Sequence, residues 1–342
     1  MTSTTHANAQ RIVLASRPKG KPAESDFRLE QVPVPKPGPR ELLLRTLYLS
    51  LDPYMRGRMD SAKSYAASVE IGGVMTGECV AEVIESNHPD FSVGDIVLAH
   101  AGWQTHAVSD GKGVRKIDPA DAPLTSRLGV LGMPGFTAYS GMRVIGQVKP
   151  GETVVVAAAS GPVGSLVGQL ARLAGARAVG IAGGPDKCAF VRNELGFDVS
   201  IDHYAPDFAA QLAAACPNGV DVYFENVGGS IWQAVSPLLN RFARVPVCGL
   251  IAQFGATEFP GPDRLPDTMR DILTKSLTIR GFINYDFAEY FPDFIREIGP
   301  RVKSGEIKYK EDIVDGFEHT AKAFIGMLEG RNFGKLLIRV AA

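Results

Sequence analysis

Val154–Gln169 reads VVVAAASGPVGSLVGQ, and the reading of this stretch decides the fold. Three β-branched valines, suited to a buried strand, run into three alanines. Ser160, Gly161 and Pro162 break the run. Beyond them Val163, Leu166, Val167, Leu170 and Leu173 recur at helical spacing. The stretch reads as a strand that turns sharply into a helix.

Such a bend leaves amides unpaired at the helix start, where the positive end of the helix dipole also lies. The two together bind phosphate. The dinucleotide fingerprint G-x-G-x-x-G takes the register Ala159-Ser160-Gly161-Pro162-Val163-Gly164, with alanine in the first place. Gly161 lets the backbone approach a pyrophosphate, and Gly164 lets the helix lie close to the strand. Pro162 costs little, because its missing N–H would be unpaired anyway. Taken alone, the glycines could serve only a tight turn.

The flanking sequence favours the nucleotide. ARAVGIAG (Ala176–Gly183) reads as a second strand and DKCAFVRNEL (Asp186–Leu195) as a second helix. A short strand in GFDVSIDH, the helix FAAQLAAAC, the strand GVDVYFENVGG, the helix IWQAVSPLL and the strand FARVPVCGLI follow. Repeated βα units imply a parallel sheet with helices on both faces, an α/β doubly wound fold. A proline- and glycine-rich loop, EFPGPDRLP, comes next. DILTKSLTIRGFINY carries a further strand, and EYFPDFIREIGPRVKSG reads as a helix. After the strand-like IKYKEDIV and the helix HTAKAFIGMLEG, GKLLIRV is a final strand, expected to return to the first domain.

The first ~130 residues are β-rich. ELLLRTLYLSL, GECVAEVIES and SVGDIVLAHAGWQTHAVSD read as short strands of a partly closed antiparallel barrel. We expect two domains: residues 1–131 with 310–342, and residues 132–309.

With 36 basic against 37 acidic residues, nothing in the charge favours nucleic acid or an anionic membrane. No apolar run approaches the roughly 20 residues of a transmembrane helix, and the polar N-terminus lacks a signal-peptide core. Cys79, Cys188, Cys216 and Cys248 are dispersed, which suits a reducing cytoplasm better than disulfides or zinc.

An NAD-selective chain usually carries Asp or Glu near the end of the second strand, where it holds the ribose hydroxyls. Here that strand ends Ile181-Ala182-Gly183-Gly184 with no acid at its tip. The glycines leave room, and Lys187 could pair with a 2′-phosphate, so NADP(H) is the expected cofactor. Asp186 would oppose that phosphate if it pointed inward.

These features lie within a pattern that resembles the medium-chain dehydrogenase/reductase superfamily, and in particular its zinc-independent prostaglandin reductase, alkenal double-bond reductase and curcumin reductase family. The marks are SLDPYMRGRM (Ser50–Met59), GMPGFTAYSG (Gly132–Gly141), AAASGPVGSLVGQLA (Ala157–Ala171), AGGPDK (Ala182–Lys187), FENVGG (Phe224–Gly229), CGLIAQF (Cys248–Phe254), RGFINYDF (Arg280–Phe287) and GRNFGK (Gly330–Lys335). The resemblance implies a Rossmann-type domain beside a GroES-like barrel, and a homodimer. It places Pro162, Val163, Gly164 and Ser165 at the pyrophosphate, Lys187 and Tyr204 at the 2′-phosphate, and Asn226 along the nucleotide. Cys248, Gly249, Leu250, Ile251 and Phe254, with Phe282, Ile283 and Asn284, would line the path to the nicotinamide, and Asn332 would reach in from the C-terminal segment. Gln253-Phe254 and Asn284 depart from the family pattern, which puts substrate identity in doubt. No zinc is expected: the regions that would supply catalytic ligands read SLDPYM and TGECVAEV. His100 and His106 form no ligand pattern.

A nicotinamide without a metal partner needs hydrogen-bond donors to stabilise the charge that develops on its acceptor. An α,β-unsaturated ketone or aldehyde suits it, because the charge spreads as an enolate after hydride reaches the β-carbon. Candidate donors to the carbonyl oxygen are Tyr285 and Tyr54. Met133, Phe254 and Tyr285 are candidate pocket residues, and Tyr139 is read as structural. The expected substrate is a small enone or enal. A quinone oxidoreductase of the same superfamily and a non-catalytic NADP-binding sensor are the rival readings.

Overall fold

The computed structural model describes residues 8–256 and 262–340. Residues 1–7 of the polar N-terminus, 257–261, which include the whole EFPG part of the expected loop, and 341–342 lie outside the described residues. Cα proximity divides the chain into two units, residues 1–128 with 311–342, and residues 129–310.

The first segment supplies strands β1 (Asn8–Leu14), β2 (Phe27–Pro33) and β3 (Leu42–Ser50), the single-turn helix α1 (Met55–Arg58), and strands β4 (Cys79–Ser86), β5 (Ile96–Ala99), β6 (His106–Ser109) and β7 (Arg115–Lys116). The middle segment runs α2 (Met133–Ser140), β8 (Thr153–Val156), α3 (Gly164–Leu173), β9 (Arg177–Ala182), α4 (Pro185–Asn193), β10 (Val199–Asp202), α5 (Phe208–Ala215) and β11 (Val220–Phe224). It continues with α6 (Gly229–Val235), β12 (Leu239–Val247), α7 (Leu265–Lys275), β13 (Thr278–Gly281) and α8 (Phe291–Lys303). The last segment adds β14 (Glu311–Asp315), α9 (Thr320–Leu328) and β15 (Lys335–Arg339).

In the first unit β14-β15-β3-β4-β5-β7 form one sheet, with β6 also paired to β3, and β1-β2 form a hairpin apart from it. β15 lies antiparallel to β3, so the end of the chain completes the sheet begun near its start. The core centres on Trp103, stacked on Phe27 at 5.4 Å and edge-on to Phe324 at 5.3 Å. Cys79, read as a strand residue, is buried in that core.

The second unit is a six-stranded parallel sheet in the order β10-β9-β8-β11-β12-β13. β8 lies near its middle and all four of its residues are buried, because helices cover both faces of a parallel sheet and the strand must be apolar on each side. The chain runs outward from β8 to β10, then crosses back to lay β11 on the other side of β8. The carboxyl ends of β8 and β11 thus form the topological switch point, where open α/β sheets bind ligands.

Two helices differ from the sequence reading. Leu265–Lys275 is a helix where a loop and the approach to a strand were expected. Leu265, Met269, Ile272 and Leu273 recur at i, i+4, i+7 and i+8, a helical signal masked in the reading by the proline- and glycine-rich start of the segment. Met133–Ser140 is a buried helix within the GMPGFTAYSG motif, apolar all round and so without helical periodicity.

Candidate cofactor and active site

The bend after β8 is held by backbone geometry. Ala158 sits at φ +52°, a conformation rare for a residue with a side chain, and its carbonyl accepts the Gly161 amide at 2.9 Å. The Ala159 amide is tied to the Ile181 carbonyl at the end of β9. A Cβ at Gly164 would stand 2.4 Å from the Ala158 carbonyl oxygen, so only glycine lets α3 begin this close to β8. At Gly161 an added Cβ would lie 3.2 Å from the same oxygen, a tight contact but not a prohibitive one. The Val163 and Gly164 amides have no hydrogen-bond partner among the described residues. A cradle of this shape and polarity fits a pyrophosphate at the N-terminus of α3. Ser165 is buried on α3, and Pro162 and Val163 are half-buried at its entry.

The end of β9 is built from four elements. A Cβ on Gly183 would meet the Tyr204 ring at 2.9 Å and His203 Nε2 at 3.1 Å, so the glycine is required by the rings that follow β10. Those rings contact each other at 4.1 Å between centroids. Lys187 lies in the first turn of α4 and its charge reaches His203. Asp202 is the nearby acid, but its Oδ1 accepts the Gly184 amide at 2.9 Å and the Tyr204 amide at 3.0 Å. Those bonds hold its carboxyl below the ordinary range and spend it on the loop. Asp186, the group that could have repelled a phosphate, is exposed on the same turn of α4. The donor set therefore suits an extra phosphate on the ribose.

At the switch point, the sequence reading singled out Asn226 and passed over Glu225. Glu225 is 2% exposed, and its Oε1 accepts the Tyr223 hydroxyl at 2.9 Å and the Val227 and Gly228 amides at 2.7 and 2.8 Å. Burial pushes its pKa up, while those amides oppose the shift. Asn226 Nδ2 donates to the Ala157 carbonyl at 2.8 Å, stitching the end of β11 to the bend after β8. The Cys248 thiol donates to Asn226 Oδ1 at 2.7 Å, and burial raises its pKa, so it stays a neutral thiol. The Cys248 and Gly249 amides are spent on the Glu225 carbonyl, and the Ile251 amide on Asn226. The carbonyls of Cys248 and Gly249 accept nothing among the described residues. A buried carboxylate followed by asparagine and two glycines was the signal for this knot, legible only as part of the FENVGG motif.

Phe282 is buried against Phe224 and Phe287, with Ile283 and Asn284 half-buried beside it and Tyr285 57% exposed on the following turn. Met133, Leu250 and Phe254 are half-buried. Tyr139 accepts a hydrogen bond from Arg143, whose guanidinium also pairs with Asp293 and Glu297. Burial pushes this phenol up to about 12, and its hydroxyl is committed to that ion-pair cluster.

Tyr54 and Asn332 belong to the first unit. Tyr54 precedes α1, and burial, reinforced by the negative charges of Asp52 and Glu78, holds its phenol protonated well above the ordinary range. It can donate a hydrogen bond at neutral pH, but it is a weak proton source. Beneath it lies a pair the sequence reading missed. Lys335 Nζ donates to Asp52 Oδ1 at 2.6 Å and to the Leu51 carbonyl at 2.9 Å, and Ser50 Oγ donates to Asp52. Lys335 and Asp52 are both buried. The pair ties GRNFGK to SLDPYM across 283 residues of sequence, which explains physically why both motifs are present. Asn332 turns its amide onto the Gly334 carbonyl at 2.8 Å and lines a cavity of about 350 Å³ with Asp312, Lys322 and Arg331. A wider depression of about 600 Å³, lined by Arg40, His88 and Lys112, contains none of the residues singled out in the sequence. Among the described residues no three His, Cys, Asp or Glu side chains are grouped to ligate a metal. His100 faces Glu78 and His106 faces Thr105.

Comparison with known proteins places these features in a family. Residues 10–117 match the N-terminal domain of oxidoreductase, and residues 162–299 match the family described as zinc-binding dehydrogenase. The chain is 54% identical over 334 residues to the NADPH-dependent curcumin reductase of Escherichia coli (strain K12), covering 97% of each. It is 37% identical over 339 residues to the NADP(+)-dependent 2-alkenal reductase of Nicotiana tabacum, again covering 97% of each. Among solved structures, CurA of Vibrio vulnificus in complex with NADPH superposes with a TM-score of 0.94 at 51% identity, over 97% of this chain and 99% of that one. With the switch-point cradle, the open ribose end of β9 and the full-length match, the chain belongs to the zinc-independent curcumin, alkenal and prostaglandin reductase family of the medium-chain dehydrogenase/reductase superfamily.

Proposed function

We propose that this chain is an NADPH-dependent reductase of the carbon–carbon double bond of α,β-unsaturated ketones and aldehydes. The observation that carries the reading is the phosphate cradle at the switch point together with a β9 end that offers Lys187 in place of an acid. The activities named for the full-length relatives supply the acceptor class. Bound NADPH supplies the hydride that adds to the β-carbon.

The chain's own groups do the rest. The Val163 and Gly164 amides hold the pyrophosphate, with Pro162, Gly161 and Ser165 shaping the cradle. Lys187 and Tyr204 hold the 2′-phosphate beside Gly183. The Asn226–Cys248 knot fixes the carbonyls of Cys248 and Gly249, which accept from the cofactor. Leu250, Ile251, Phe254, Phe282, Ile283 and Asn284 exclude water along the nicotinamide path, and Asn332 is a further candidate cofactor contact. The exposed Tyr285 hydroxyl holds the substrate carbonyl oxygen, and Tyr54 is a second candidate donor, kept protonated by its surroundings. Met133 and Phe254 supply apolar surface for an enone.

Oxidation of NADPH, followed at the nicotinamide absorbance across enals, enones and quinones, tests the reading. Enal and enone turnover with a strong preference for NADPH over NADH is expected. Turnover of quinones alone would replace it with the oxidoreductase alternative, and binding without oxidation would make the chain a sensor. Tyr285→Phe should lower kcat about tenfold or more, the size of one lost hydrogen bond to developing charge, with NADPH affinity unchanged.

The chain is proposed to act in the cytoplasm as a homodimer. β13 is an edge strand, and Leu265, Met269 and Leu273 form an exposed apolar stripe at i, i+4, i+8 on α7. Sedimentation equilibrium at micromolar concentration should give twice the chain mass; a monomer would refute this.

A further inference from the structure

His203 is a group the sequence reading did not weigh. It follows β10 directly, and its amide is tied to the Ala182 carbonyl at 3.0 Å, which fixes the ring over the end of β9. Its Nε2 lies 3.1 Å from where a Gly183 Cβ would be, and the ring packs on Tyr204. The titratable groups around it are Asp202 on its own strand, Tyr204 beside it, and Lys187 on α4; Cys188, also on α4, interacts with Asp202. Asp202 has one carboxylate oxygen committed to two amides, so it is a poor partner for an imidazolium. Burial, opposed by the Asp202 charge and joined by that of Lys187, pushes the imidazole below its ordinary value.

We propose that His203 is a specificity-determining residue that contacts the cofactor's 2′-phosphate in its protonated form, so that discrimination between NADP(H) and NAD(H) strengthens as pH falls. This rests on the reading that places the 2′-phosphate at Lys187 and Tyr204. A phosphate brings nearly two negative charges at neutral pH, with a second ionisation near pH 6. Beside Lys187 it reverses the field on the imidazole, favours the charged ring and gains a charge-assisted hydrogen bond. Binding is then linked to proton uptake by the protein. NAD(H), lacking the phosphate, carries no such linkage.

The test is isothermal titration calorimetry of the full chain with NADP⁺ and NAD⁺ from pH 6 to pH 8, in buffers of different ionisation enthalpy, for wild type, His203→Asn, His203→Gln and Lys187→Ala. The phosphate's own ionisation is common to wild type and the His203 variants and cancels in their comparison. Wild type should bind NADP⁺ about tenfold more tightly than either His203 variant at pH 6, and about equally at pH 8, the size of one charge-assisted hydrogen bond. It should also take up more protons than they do. Identical pH profiles in wild type and a His203 variant would overturn the assignment. So would an equal loss of NADP⁺ and NAD⁺ binding, which marks a merely structural ring. Lys187→Ala separates the two layers. If it leaves the NADP⁺ preference intact, the phosphate site itself is misplaced. If it weakens NADP⁺ selectively while the His203 variants track wild type, only the role of His203 falls.

Discussion

Gly164→Ala probes the bend with one methyl group. The added Cβ would stand 2.4 Å from the Ala158 carbonyl oxygen and 2.9 Å from both the Ala158 carbonyl carbon and the Ala159 Cα. Relief requires a displacement of about 1 Å, since ordinary contacts begin near 3.4 Å. All the obstructing atoms are backbone, so no side chain can swing away. The segment also has little slack: Ala158 already holds a positive φ, at about 1 kcal/mol, and the Ala159 amide is pinned to β9. Overpacking of this kind costs about 1–3 kcal/mol. At the midpoint, with roughly 2–4 °C per kcal/mol for a unit of this size, Tm should fall by about 4–8 °C for a 2 kcal/mol loss. Lifting α3 away from β8 also pulls the Val163 and Gly164 amides out of register, so Kd for NADPH should rise at least tenfold. Gly161→Ala is the control, because its Cβ meets only one atom, at 3.2 Å. It should leave Tm nearly unchanged while weakening NADPH, since its methyl occupies the phosphate approach. Differential scanning calorimetry and a fluorescence titration read both quantities. Wild-type Tm and wild-type Kd in Gly164→Ala would refute the close-packing account of the cradle.

Lys335→Met should destabilise the first unit by about 3–5 kcal/mol, because it strands the buried Asp52 carboxylate; Asp52→Asn added to it should recover much of the loss in chemical denaturation, and strict additivity would deny the coupling. Glu225→Leu orphans the buried Gly228 amide, the half-buried Val227 amide and a buried phenol, so a loss of about 3 kcal/mol is expected, against a smaller one for Glu225→Gln. The pH dependence has a definite sign. Burial raises the folded-state pKa of Glu225 above that of an ordinary glutamate, so the folded chain holds this proton longer than the unfolded chain. Its contribution is full below the unfolded pKa and declines as pH rises through the folded one. Denaturation midpoints against pH should show this slope in wild type and lose it in Glu225→Gln; the same slope in both would assign it to other groups.

Much of the second unit is legible from the chain alone, because its signals are local. β8 shows an unbroken valine run, α3 shows 3.6-residue spacing, and the two are joined by glycines that short-range sterics demand. The missing acid at the end of β9 is equally local, and it points to NADP(H) before any fold is known. The reading failed at α7, whose apolar stripe begins inside a proline- and glycine-rich segment, and at α2, which is buried nearly all round and carries no helical periodicity.

The site's supporting interactions are of another kind. The sequence by itself determined the βα repeat, the phosphate bend and the cofactor preference, since each follows from residues within a turn or two of one another. Only the tertiary structure decided that β15 closes on β3, that Lys335 answers Asp52, and that Glu225 and Asn226 knot the ends of β11, β12 and β8. It also brought His203 and Tyr204 over Gly183. These partners are set by which strands lie side by side in the sheets, and strand order depends on the packing of whole layers rather than on the spacing of any short segment.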